Sequence, residues 1–243
     1  MGKLSERVSG VSEPHGLLLP PAAELRARLD GFRTRWPVRW ERFLAEAHAP
    51  LPEGKWYGAH GGAVLHADFL ALALGDPAFA GLSVSRATRF VAEYPALLRV
   101  GNQDQDPWIH AAAMARRAIG FSWLRDACGM EEGLWAELRE LFVSDALAFT
   151  EPALERRVPR HANNQGMALA LNLMAVGHLW GRRYGSDARA LHLLETGWSH
   201  FRDQIALHPP GGYGGEGSTY AVLVAEPLCA LACALYEAST GLE

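Results

Sequence analysis

Period-2 alternation of apolar and polar residues, the mark of a half-buried strand, is nowhere convincing along this chain, and that constrains its fold more than any motif. In its place stand long stretches with helical spacing, each closed by a turn signal. Leu17-Leu18-Leu19-Pro20-Pro21 opens the first, with Leu25, Leu29 and Phe32 following at helical spacing. A second begins after Pro37 and puts Trp40, Phe43, Leu44 and Ala47 on one face. From Ala63 to Leu74 the chain is almost continuously apolar, which predicts a helix buried on most sides. Gly75-Asp76-Pro77 ends it and starts another, expected to stop near Tyr94 because Pro95 follows. Further helices are expected from Pro107 to about Cys128, from Glu131 to about Arg157 with a kink or break at Pro152, and from Asn164 to Tyr184. Another runs to about Leu207, and a last one from about Ser218 to Ala238. The pattern predicts an all-α protein of nine or ten helices in stacked antiparallel hairpins.

At 243 residues, with 49% apolar and 21% charged side chains, the chain has the balance of an ordinary globular domain. A net charge of −4 gives no global signature for nucleic acid, so an anionic ligand would need a local basic pocket. No apolar run approaches the roughly 20 residues of a membrane span. The first sixteen residues lack the apolar core of a secretory signal, which fits a cytoplasmic protein or a secreted one whose leader has been removed. Cys229 and Cys233, four apart on an apolar helix, read as small core residues rather than a bridge. Arg116-Arg117 reads as a solvated helix face. Metal-binding spacings such as CxxC or HExxH, the G-K-[ST] of a phosphate loop and the G-x-S-x-G of a serine hydrolase do not occur, so no metal or cofactor is expected in this segment.

Two stretches go beyond what a helical fold needs. His208 to Tyr220 reads HPPGGYGGEGSTY, and clustered glycines at that density suit a backbone that takes unusual dihedrals or lies close to a ligand. One hairpin earlier stands Arg160-His161-Ala162-Asn163-Asn164-Gln165-Gly166. A separation of 220 − 164 = 56 residues leaves room for two helices and a turn, which lets both stretches lie at the same end of a barrel.

These residues carry a resemblance. Asn163-Asn164-Gln165-Gly166-Met167 together with Gly212 to Tyr220, the PPAAELRARL opening and the LALALGDPAF helix-turn are similar to the heparinase II/III-like polysaccharide lyases. That resemblance implies an incomplete (α/α) toroid over residues 1–243, the N-terminal part of a longer lyase whose β-sandwich domain, with any structural metal, lies outside this chain. It also implies β-elimination at C5 of a uronic acid within an anionic polysaccharide.

Removing the C5 proton puts a second negative charge beside a carboxylate, so a neutral donor against that carboxylate makes the carbon acid stronger. Asn164 suits the role, with Asn163 adjacent; either also suits an N-cap of the helix that follows. Tyr220 is the expected acid towards the leaving O4, and the base as well if Arg156, Arg157, Arg160 or His161 favours its phenolate. Where relatives carry a histidine after the Asn, this chain has Gln165, which accepts no proton. His161 is the nearest alternative base; His208 and His110 stand at loop–helix junctions. Glu216 reads as an organiser of the loop, and Tyr213 and Arg160 join Gln165 as substrate contacts. Gln103, Gln105 and Trp108 form a candidate sugar subsite leading to His110. Two other readings stay open: an (α/α)-barrel hydrolase of the unsaturated glucuronyl type, for which Asp104, Asp106 and Glu216 form no recognisable carboxylate pair, and a toroid that binds sugar without turnover.

Overall fold

The computed structural model describes residues 17, 19–50, 61–101, 106–157, 164–206 and 226–240. Among these no strand occurs, and the helices are α1 (Ala22–Arg35), α2 (Pro37–His48), α3 (Gly61–Leu74), α4 (Pro77–Gly101), α5 (Pro107–Cys128), α6 (Glu132–Asp145), α7 (Glu151–Arg157), α8 (Asn164–His178), α9 (Ala188–Ala206) and α10 (Glu226–Thr240). A π-helical turn, Ala146–Thr150, joins α6 to α7, and a second, Leu179–Arg183, extends α8. No described helix is long and apolar enough to cross a membrane.

Side-chain pairs set the direction of each helix. Gly75, at φ 64°, ends α3, and the Asp76 carboxylate accepts from the Ala78 amide to start α4 at once, so the two are antiparallel. Phe90 against Phe121 and Tyr94 against His110 make α4 antiparallel to α5. Phe121 against Phe142, with Arg125 bonded to Glu132 at 2.9 Å, reverses the chain again into α6. Trp135 packs on Trp180, and the Asn172 amide donates to the Thr150 hydroxyl at 2.9 Å, so α6–α7 is antiparallel to α8. Gly166 lies against Gln204 and Gly181 against Leu191, which pairs α8 with α9 the same way. His178 Nδ1 donates to the Ser239 hydroxyl at 2.8 Å, that hydroxyl being committed to the Leu235 carbonyl. This contact joins the C-terminal ends of α8 and α10. Helices α3, α5, α8 and α10 are therefore parallel, and each touches the next. Arg183 and Tyr184, bonded to Asp126 at 2.9 and 2.6 Å, join the C-terminal ends of α5 and α8 directly.

The parallel helices are the most buried. Every residue from Gly166 to Gly181 is buried, and so is most of α5 from His110 to Leu124. Each fully buried aromatic or aliphatic side chain contributes about 1.5–3 kcal/mol relative to exposure. Arg117 is 1% exposed, with its guanidinium 5.2 Å from the Phe90 ring centroid, where the sequence suggested a solvated face. The reason is position: α5 has helices on several sides, and only Arg116 finds solvent. Cys233 is exposed rather than a core residue. Pro95 does not end α4, which runs on to Gly101; Tyr94, immediately before it, is tied to Asp145 and holds the helix there. The break expected at Pro152 takes the form of the π-turn just before it, because proline cannot donate to the preceding turn.

Two outcomes follow from this packing. At Gly177 a Cβ would overlap the Leu194 backbone, so Gly177→Ala should lower stability by about 2–4 kcal/mol in chemical denaturation. Asp68 of α3 is fully buried, with neither oxygen in hydrogen-bond geometry with a described group. Burial pushes its pKa up to about 7, opposed in part by the nearby Ser83 hydroxyl and Arg86 guanidinium. A folded pKa above the unfolded value of about 3.9 favours the protonated form, so its contribution is full below pH 4 and is lost as pH rises through 7. Asp68→Asn should match the parent near pH 4 and exceed it by on the order of 2–4 kcal/mol at pH 8, read from urea midpoints.

Candidate functional site

The alternation of directions gives the molecule two unlike ends. At one, α3 turns into α4 through 75–76, α5 into α6 through 129–131, and α8 into α9 through 184–187. Phe43 packs on both His66 and Phe69 while Glu46 faces His66, so α2 is antiparallel to α3. At the other end lie the helix ends that flank 49–60, 102–106, 158–163 and 207–225. Short turns serve only to reverse the chain; longer connections on a rigid helical frame are where binding and catalytic residues concentrate.

The sequence-derived candidates divide into described and undescribed residues. Gln105, Arg160, His161, Asn163, Tyr213, Glu216 and Tyr220 lie outside the described residues. Asn164 is the first residue of α8 and Gln165, half-buried, the second. Gln204, one turn from the end of α9, is buried against Gly166, so the start of α8 and the end of α9 are neighbours. Its Oε1 is buried without a hydrogen-bond donor among the described residues. Trp108 is half-buried in the first turn of α5, and its buried indole N–H has no acceptor among the described residues. Since α5 is parallel to α8, Trp108 and Asn164 belong to the same end.

His110 stands differently from the substrate contact expected of it. It is 3% exposed and lies between α4, α5 and α6. Its Nε2 is 2.9 and 3.0 Å from the two Asp145 oxygens, and the Tyr94 hydroxyl donates to Oδ1 at 2.7 Å. A carboxylate that takes the phenol proton must take its second bond from an imidazole N–H, so a neutral His110 carries its proton on Nε2. The 3.2 Å between Tyr94 and Nε2 then separates two donors that share one acceptor. Phe149, on the π-turn, covers the imidazole edge-on at 6.2 Å. Outside this cluster, Val91, Leu141, Phe149 and the Tyr94 and Asp145 side chains line a groove of about 460 Å³. Among the described residues no group of three or more His, Cys, Asp or Glu is placed to hold a metal ion.

Sequence reasoning missed Asp145 and Asn172, placed Tyr94 only as a helix end and read Arg117 as solvated. Asp145 and Asn172 did leave a trace, each a polar residue inside an apolar run, FVSDALAF and LALNLMAV. Helical periodicity alone cannot say which of three neighbouring helices such a residue meets. Breaking the cluster should be costly: Asp145→Ala leaves imidazole and phenol without their acceptor and should lose about 3–5 kcal/mol, against about 1 kcal/mol for Tyr94→Phe. Chemical denaturation of both variants checks the ratio. No family model, no curated protein and no solved structure matches this chain.

Proposed function

We propose that this chain is the helical part of a polysaccharide lyase that cleaves a uronic-acid-containing polysaccharide by β-elimination, on an incomplete (α/α) toroid of the heparinase II/III-like kind. One observation carries the reading: the helix ends flanking 102–106, 158–163 and 207–225 share one end of the molecule, and Asn164 opens α8 at that end. The parallel run of α3, α5, α8 and α10, each separated in sequence by an antiparallel helix, is the arrangement that a toroid of hairpins requires.

In this reading Asn164, or Asn163 beside it, donates to the C5 carboxylate and lowers the cost of the carbanion. Tyr220 delivers a proton to the departing O4. Gln165 holds substrate by hydrogen bonds and moves no proton, which leaves proton abstraction to the Tyr220 phenolate or to His161. Trp108, half-buried in the first turn of α5, offers a ring face to a neighbouring sugar.

The test is turnover of a panel of uronate polysaccharides, read as the ultraviolet absorbance of the 4,5-unsaturated product. Tyr220→Phe should cut kcat by about 10²-fold or more and Asn164→Ala by about 10²–10³-fold, with binding retained. Unchanged turnover in Tyr220→Phe would remove the catalytic assignment. Consumption of an unsaturated oligosaccharide would favour the hydrolase, and binding without turnover a sugar-binding toroid.

A further inference from the structure

Among the described residues, large exposed apolar side chains are few, and three of the five stand within seven residues: Phe32 (38% exposed), Trp36 (42%) and Val38 (77%). Trp36 occupies the single-residue break between α1 and α2. Two guanidiniums stack on its ring, Arg35 at 5.5 Å and Arg39 at 4.9 Å, and neither forms an ion pair with a described residue. Beside it a groove of about 420 Å³ is floored by Phe32, Trp40, Phe43 and Phe69. Arg39 and Arg42 stand at its edge, and Glu46, bonded to Arg42 at 2.9 Å, is its one carboxylate.

An aromatic floor takes the apolar C–H face of a sugar ring, and the Arg39 guanidinium can take a carboxylate or sulfate in fork geometry. The groove also points the right way. It follows α2 from Arg39 to Glu46 and reaches His66 of α3, close to the helix ends that flank 49–60. Seven helical residues make that path about 10 Å long. We propose that this groove is an auxiliary subsite for an acidic saccharide chain, holding the part of the polymer that extends beyond the reacting sugars; the inference rests on the lyase reading. With Arg42 paired to Glu46, Arg39 is the cation of the groove that is left for an anionic group.

The experiment compares short and long uronate oligosaccharides on the full chain and on two surface variants, Trp36→Ala and Arg39→Glu, with circular dichroism to verify folding. For long oligosaccharides Kd should rise about five- to tenfold in Arg39→Glu, and the parent's affinity should fall with salt. For the shortest turned-over substrate KM and kcat should not change. Unchanged affinity for long chains in both variants overturns the subsite and leaves the lyase reading intact. Equal binding of a neutral glucan, or tighter binding of an oligonucleotide in the same groove, also overturns it. Groove-dependent binding of uronates without any unsaturated product keeps the groove as a uronate-binding surface but removes the lyase reading and, with it, the auxiliary role.

Discussion

A helix that is apolar all round has to be surrounded, and α8 is that helix. From Gly166 to Gly181 it offers no residue to solvent, so other helices must cover every side of it. The chain meets that demand with α5 and α10 alongside, running parallel, and with α6–α7 and α9 antiparallel against it. Glycines at 166, 177 and 181 let α9 approach so closely that a methyl group at any of them would meet Gln204, Leu194 or Leu191. The directions of the remaining helices follow from this one requirement and from turns too short to do anything but reverse the chain.

That alternation matters for function because it sorts the connections. Tight turns collect at one end, closed by left-handed Gly75 and Gly129 and by the Arg183–Asp126–Tyr184 contacts. The other end is held from within by Tyr94, His110 and Asp145, a buried polar cluster joining α4, α5 and α6 within one turn of Trp108. Polar groups in a core are expensive unless fully partnered, and here one carboxylate satisfies two donors. The cluster therefore fixes the start of α5 more specifically than apolar packing would, which keeps Trp108 in register with the start of α8.

Much of this was legible beforehand. Apolar spacing, proline starts and glycine stops located most described helix ends to within a few residues, because those signals act through local backbone energetics; the expected start of the last helix at Ser218 lies outside the described residues. The exceptions were positions where tertiary contact outweighed the local rule. Pro95 lies inside α4, Arg117 is buried on what looked like a wet face, and Cys233 is exposed on an apolar helix. Of the candidate site, the pattern around Asn164 and the glycine-rich stretch stood out in the sequence as residues a plain helical fold would not need. His110 shows the opposite: a histidine at a loop–helix junction looks like a ligand group until its partners Asp145 and Tyr94, 35 and 16 residues away, are known.

By itself, then, the sequence determined the helical class and the hairpin rhythm, both of which depend on neighbours within about a turn. Only the tertiary structure decided which helix ends share a side, which polar residues face one another between helices, and where aromatic and arginine side chains gather on α1 and α2. Those are contacts between segments distant in the chain, and no local periodicity encodes the partner.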